Sequence, residues 1–252
     1  MRLRAKRCLV VGGGGEGIGR AITRAFGQEG ARVVVADLDG DRAVEAAREL
    51  ADRGLPLTVD VRSRAELTGL VDQAVRWLGG LDVVVTVVGG QMAHVPAVTL
   101  HDIEDQDWDT MYELNLRYVA RLLRLVLPVL QRQGRGGVIV SVGSVAGVMA
   151  APHQAGYGAM KAGLLSLART VAAEYAHASI RMNVIVAGAI ATAASSNEPT
   201  DEWIAEVPLG RYGTSAEVAA AAVYLASDDA RYMTGQQLVL DGGVSVRGPF
   251  SS

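Results

Sequence analysis

One cysteine, Cys8, and four histidines, His94, His101, His153 and His177, are the only thiol and imidazole groups in this 252-residue chain. A lone cysteine cannot close an intramolecular disulfide and the histidines stand at no ligand spacing, so neither a disulfide framework nor a metal site is expected. An acidic stretch from His101 to Asp109 looks like a calcium loop, but the position where such a loop needs glycine holds Asp107. Charge of one sign is also scarce. With 24 Lys+Arg against 27 Asp+Glu the formal charge is −3, and no basic run points to a nucleic acid or an acidic membrane as partner. Long hydrophobic runs are missing too: Val184 to Ala194 and Val218 to Ala226 fall far short of the roughly 18 residues of a membrane span. The run Cys8 to Val11, behind Arg2, Arg4, Lys6 and Arg7, meets glycine too soon for the apolar region of a signal peptide. A soluble, cytoplasmic protein without metal is the expectation.

Hydrophobic residues make up 50% of the chain and charged residues 20%, enough for a sizeable core and too apolar for intrinsic disorder. Glycine is in excess, with 30 residues, about 12% against an average near 7%. Short β-branched runs alternate with amphipathic segments of helical length. The runs are Leu9 to Val11, Arg32 to Ala36, Leu57 to Val59, Asp82 to Val88, Val138 to Val142, Arg181 to Val186 and Gln237 to Leu240. Helices are expected over Gly17 to Glu29, Asp41 to Arg53, Arg64 to Leu78, Trp108 to Gln133, Ala155 to His177 and Ser215 to Ser227, with Asp107 and Ser215 as caps. Strands that are apolar throughout are covered on both faces. The pattern predicts an α/β fold, a doubly wound, Rossmann-like parallel sheet of about seven strands with helices on both faces. It forms a single domain over residues 1–252 with a short substrate lid at about 189–207. In such a sheet ligands sit beyond the carboxyl ends of the strands.

The first such loop reads Gly12-Gly13-Gly14-Gly15-Glu16-Gly17-Ile18-Gly19. Gly13, Gly17 and Gly19 stand in a G-x-x-x-G-x-G spacing, which lets backbone N–H groups and a helix N-terminus approach a pyrophosphate. An ordinary tight strand-to-helix turn is the competing reading. Asp37 ends the second strand, where a carboxylate can accept hydrogen bonds from the hydroxyls of an adenosine ribose; the alternative is that it merely starts a turn. A 2′-phosphate there would face Asp37 and Glu16, so NAD(H) is expected in preference to NADP(H).

Tyr157 and Lys161, four residues apart on an expected helix, project from one face. An ammonium near a phenol favours the phenolate and makes a general acid/base usable at neutral pH, although a Tyr and Lys at this spacing are often surface decoration. Ser144 follows the strand Val138 to Val142, and Asn115 lies in the preceding long helix. Together with Gly13, Gly17, Gly19 and Asp37 this set resembles the short-chain dehydrogenase/reductase family, in its compact branch. The resemblance runs end to end, down to Pro208-Leu209-Gly210-Arg211 and Asp241-Gly242-Gly243.

The resemblance implies a catalytic set of Asn115, Ser144, Tyr157 and Lys161. Tyr157 would exchange the substrate proton, Lys161 would bind the nicotinamide ribose and depress the tyrosine pKa, Ser144 would bond the substrate oxygen, and Asn115 would hold a relay water. Cofactor contacts would come from Gly13, Gly17, Ile18, Gly19, Asp37, Asp60, Val61, Gly89, Gly188, Ile190 and Thr192, besides Tyr157 and Lys161. Three departures from the family pattern stand out: Gly12-Gly13 for Thr-Gly, Thr86-Val87-Val88-Gly89 for Asn-Asn-Ala-Gly, and Ala187-Gly188 for Pro-Gly. Side-chain hydrogen bonds that brace the sheet are then lost unless Thr86 replaces some of them. The candidate substrate wall is Gln91, Met92, His94, Met149, Ala151, His153, Gln154 and Trp203, mainly apolar, which favours a neutral carbonyl compound or alcohol. A 3-oxoacyl thioester reductase is the alternative enzyme, disfavoured by Asp37 and by Ala178 where a basic residue would help dock an acidic carrier protein. A non-catalytic NAD-binding regulatory or scaffold protein is the alternative of another class. Surplus apolar residues on two long helices (Leu116, Val119, Ala120, Leu123 and Leu127; Leu164, Leu165, Leu167, Ala168 and Val171) predict pairing with another subunit, and with the strand Gln237 to Leu240 a homotetramer.

Overall fold

Across the residues that the computed structural model describes, 1–91, 94–192 and 201–247, the chain alternates strand and helix. The order is β1 (Arg7–Val11), α1 (Ile18–Gln28), β2 (Arg32–Asp37), α2 (Gly40–Arg48), β3 (Gly54–Thr58), α3 (Arg64–Leu78), β4 (Val83–Thr86), α4 (Asp105–Tyr112) and α5 (Tyr118–Gln133). It continues through β5 (Gly137–Ser144), α6 (Ala155–Tyr175), β6 (Ile180–Ala187), β7 (Ile190–Ala191), α7 (Asp201–Ala205), β8 (Gly213–Thr214), α8 (Ser215–Ala226) and β9 (Gln237–Leu240). Seven strands form one sheet in the order β3-β2-β1-β4-β5-β6-β9, all parallel, and β7 and β8 pair as a separate small ribbon. Met92 and residues 193–200 of the expected lid lie outside the described residues.

The apolar strands bury both faces because successive side chains point to opposite sides. Leu9, Val11, Val34 and Val84 join the core under α3, α5 and α6, while Cys8, Val10, Val33, Val35, Val83 and Val85 join the core under α1, α2 and α8. Strand order reverses between β1 and β4, so the loops after these two strands diverge to opposite sides and open a cleft.

Several local expectations are corrected. The helix expected from Trp108 to Gln133 starts at Asp105, after Glu104 rather than Asp107, and is interrupted by a π-helical turn at Glu113–Arg117. The cap of α8 is Thr214, not Ser215: its hydroxyl accepts from Glu217 N (3.2 Å) while the Glu217 carboxylate accepts from Thr214 N (2.8 Å). The run Leu57 to Val59 forms its strand earlier, at Gly54–Thr58, paired with β2. Most of the two apolar stripes is taken up by the chain's own core, while Leu116, Ala120 and Leu167 stay half-buried. Val119, Leu123, Leu127, Leu164, Leu165, Ala168 and Val171 are all buried, with α3 packed beside α5 and the sheet beneath α6. Among the described residues no helix is long and apolar enough to cross a membrane.

Candidate active site

The glycine loop turns back on itself directly after β1: the N–H groups of Gly12 and Gly13 both donate to Ala36 O, at 2.8 and 3.1 Å. A Cβ at Gly19 would lie 1.8 Å from the Gly12 carbonyl oxygen, so the first turn of α1 comes this close only because residue 19 is glycine. Gly17 caps α1 without a side-chain bond and no acid stands in its first turn, which leaves its N-terminal N–H groups and positive dipole end to an anion. Asp37 braces this loop: one carboxylate oxygen accepts from Gly14 N (2.9 Å) and Gly15 N (3.1 Å), the other from Asp39 N (3.2 Å). Its carboxylate therefore shapes the glycine loop, a bracing contact that the sequence did not announce.

A cavity of about 600 Å³ runs from this loop across the strand ends, lined among others by Glu16, Gly17, Asp37, Asp60, Gly89 and Thr192. Ile18, Gly19, Val61 and His94 also face it. Gly13 is not among its lining residues and is buried under α1, where its carbonyl accepts from Thr23 Oγ1 at 3.1 Å. Sequence reasoning missed two guanidinium groups here, those of Arg42 and Arg62. Arg62 grips Asp60 with Nε (3.0 Å) and Nη2 (2.7 Å), which holds the Asp60 carboxyl below its ordinary pKa and occupies it. Arg42 lies 3.3 Å from Asp39. A signal for Arg42 existed in the sequence, since a cation in the first turn of a helix opposes the dipole and calls for another reason to be there.

A second cavity of about 240 Å³ continues from the first and holds Ser144, Tyr157, Lys161, Gly188, Ile190 and Thr192. Ser144 ends β5 and its hydroxyl accepts from Ala146 N at 3.2 Å. Tyr157 and Lys161 stand on the first turns of α6, with Lys161 Nζ 5.4 Å from the centroid of the Tyr157 ring. Lys161 is only 4% exposed, and its Nζ donates to Val142 O at 3.1 Å. Burial lowers its pKa to about 8. Burial raises the pKa of Tyr157, and the hydrogen bond with Ser144 opposes that rise only in part. Desolvation thus works against the phenolate here and favours residue 157 as a phenol, a form able to donate a proton.

Asn115 is fully buried on the π-helical turn, with Nδ2 donating to Met111 O (3.1 Å) and Gly90 O (3.1 Å). Thr86 takes up the bracing task left by the missing asparagine: its hydroxyl donates to Ser141 Oγ at 2.8 Å, tying β4 to β5, and Tyr118 OH donates to Val88 O at 2.8 Å. Of the candidate substrate wall, His94 faces the first cavity and Gln91 is buried, whereas Met149, Trp203 and His153 are exposed and line neither cavity. Ala151 and Gln154 flank the start of α6, where Gln154 O accepts from Gly158 N at 2.8 Å.

A Rossmann-type sheet whose switch-point cleft leads from a glycine loop to a Ser-Tyr-Lys group with its lysine buried defines a nucleotide-dependent oxidoreductase architecture. The chain belongs to the short-chain dehydrogenase/reductase family: the family profile described as Enoyl-(Acyl carrier protein) reductase matches residues 13–245. It is 35% identical over 252 residues to the 3-oxoacyl-[acyl-carrier-protein] reductase of Thermotoga maritima, covering 98% of this chain and 100% of that one. It is 34% identical to the 7alpha-hydroxysteroid dehydrogenase of Bacteroides fragilis, over 96% of each chain. Among solved structures, a short-chain dehydrogenase/reductase from Burkholderia xenovorans superimposes with a TM-score of 0.91 at 34% identity, covering 98% and 99% of the two chains. A 7 alpha-hydroxysteroid dehydrogenase complexed with NADH and 7-oxo glycochenodeoxycholic acid does so with a TM-score of 0.89 at 32% identity, covering 96% and 95%.

Proposed function

We propose that the protein interconverts a secondary alcohol and a ketone on a neutral, mostly apolar small molecule, using NAD(H). The observation that carries this reading is the joining of Ser144, Tyr157 and Lys161 in one small cavity that continues, past Thr192, into the cleft over the glycine loop. The uncapped N-terminus of α1 and the close approach at Gly19 fit a pyrophosphate, and the apolar Ile18, Val87 and Ile190 fit a flat nicotinamide ring. Bound there, the dinucleotide would supply or accept hydride. Ser144 would hydrogen-bond the substrate oxygen, and Tyr157 would give it a proton in reduction and take one in oxidation. Lys161, with a pKa near neutrality, would bond the cofactor's ribose and replenish the Tyr157 proton, and Asn115 would hold the relay toward solvent.

NAD(H) is favoured because Asp37 and Glu16 set two carboxylates at the ribose end, while Arg42 and Arg62 are engaged by Asp39 and Asp60. One unfavourable charge contact of about 1.4 kcal/mol already gives about tenfold, so kcat/KM with NADH is expected to exceed that with NADPH by at least that factor. A cytoplasmic location and a homotetramer belong to the same proposal. Cys8 is buried with its thiol pKa pushed up by desolvation, so it offers no reactive thiol, and β9 lies at a sheet edge with Val239 37% exposed, available to a second copy. Sedimentation at the 26.4 kDa monomer mass would reject the assembly.

A 3-oxoacyl thioester reductase is the second reading, supported by the full-length similarity to the Thermotoga maritima reductase. A panel of neutral ketones and an acetoacetyl thioester, each with NADH and NADPH, separates the two. Turnover of ketones abolished by Tyr157→Phe supports the first; preference for the thioester with NADPH replaces it by the second. NADH binding without turnover of any compound leaves a regulatory or scaffold protein.

A further inference from the structure

Gln91 lies two residues beyond Gly89, on the loop that leaves β4 for α4, and is only 7% exposed. Its Nε2 donates to two backbone carbonyls, His153 O at 2.9 Å and Pro96 O at 3.2 Å. Both acceptors are carbonyl oxygens, which fixes the amide orientation. Its Oε1 is buried without a hydrogen-bond partner among the described residues. A buried acceptor left unpaired is costly, so an amide in this place is a poor choice for packing alone. The two bonds of Nε2 are what it contributes.

His153 is the far end of this clasp and has φ +63°, a left-handed conformation that side chains with a Cβ disfavour. It sits immediately before Gln154, whose carbonyl accepts from Gly158 N in the opening turn of α6, and four residues before Tyr157. On the other side, the neighbouring Gly90 is held through both its N–H and its C=O by Asn115. Orientation of the α6 opening turn therefore depends on a strained backbone that one side chain from a different loop restrains.

We infer that Gln91 is a positioning residue: it holds His153 in its left-handed conformation and so fixes the start of α6 that aims Tyr157 at the substrate oxygen. This rests on the reading of Tyr157 as the proton-transferring group. Without the clasp, His153 relaxes toward negative φ, its carbonyl swings, and the α6 opening turn loses its anchor. A glycine at 153 adopts positive φ without a steric penalty and needs no clasp.

Gln91→Met keeps the length and removes both the donors and the orphaned acceptor. Small misplacements of reacting groups are costly to rate, so kcat on a turned-over ketone should fall about tenfold. KM for NADH should stay within about twofold and Tm should drop by no more than about 4 °C, because relief of the stranded Oε1 offsets part of the two lost hydrogen bonds. In a His153→Gly background the same substitution should cost less than about threefold, the strain having gone. Hydrogen exchange of the peptide covering Gln154 to Lys161 gives an arm independent of any substrate: it should quicken in Gln91→Met and be restored in the double variant. An unchanged exchange rate in Gln91→Met, an equal loss of kcat in both backgrounds, or a fall of Tm in step with kcat overturns the inference. Restored exchange with no ketone turned over by the native protein leaves the clasp standing and removes the catalytic reading instead.

Discussion

Asn115 closes a two-point clamp on Gly90, its Oδ1 accepting from Gly90 N at 3.0 Å and its Nδ2 donating to Gly90 O at 3.1 Å. The same amide therefore fixes the loop at the carboxyl end of β4 to the π-helical turn, with Lys161 beside it. A Cβ at Gly89 would lie 2.6 Å from Asn115 Oδ1 and 3.1 Å from Lys161 Nζ, in a backbone at φ +146°. Gly89→Ala should thus break the clamp and displace the lysine, with kcat/KM falling about a hundredfold or more. Gly90→Ala meets open space and adds only backbone strain at φ +138°, so its loss should be markedly smaller. Steady-state kinetics on both variants checks the ordering, and equal losses would contradict it.

Tyr157→Phe removes the transferable proton while keeping the ring that packs beside Lys161. An absent general acid typically costs about a hundredfold or more in kcat, with NADH affinity little changed. Fluorescence titration with NADH alongside turnover separates binding from chemistry. Near-normal kcat in this variant would show that the proton comes from elsewhere.

Burial of Lys161 should leave a stability signature with a defined sign. Its folded pKa of about 8 lies below the ordinary 10.5, so between these values the unfolded chain binds more protons and stability rises with pH. Below pH 8 the full penalty applies, on the order of 3 kcal/mol at about 1.4 kcal/mol per pKa unit. Lys161→Met should abolish turnover yet raise unfolding free energy at pH 7 by about 1 kcal/mol or more after the lost bond to Val142 O is counted. The gain should shrink as pH approaches 10.5. Urea denaturation at several pH values measures this, and a gain that grew with pH would have the wrong sign.

Thr86 and Ser141 share one buried hydrogen bond between β4 and β5. Thr86→Val or Ser141→Ala alone strands the other hydroxyl and should destabilise by about 1–3 kcal/mol. Removing both leaves nothing stranded, so the double variant should be less destabilised than the sum by about 1 kcal/mol. Additive losses in a denaturation cycle would mean that the pair does not brace the sheet.

Local rules made much of the molecule legible from its residues. Val33 to Val35 and Val83 to Val85 are apolar at every position because each face of the sheet is covered, and the glycine loop with Tyr157 and Lys161 one helical turn apart encodes its geometry in short spacings. Thr214 as cap and the π-helical turn around Asn115 were not legible, since neighbouring residues offer the same hydroxyl or the same helical period.

The sequence by itself determined the alternation of strand and helix, the parallel sheet and the residues that meet at its carboxyl edge, because periodicity and turn chemistry act over a few residues. Tertiary structure decided whatever depends on distant segments sharing space. Strand order brought Arg42 and Arg62 to the same end of the cleft as Asp37, and Gln91 to His153, 62 positions away. Helix packing drew most of the apolar stripes of α5 and α6 into the chain's own core. Burial pushed the pKa of Tyr157 up and that of Lys161 down, since desolvation is set by everything that covers a group and not by the residues beside it in sequence.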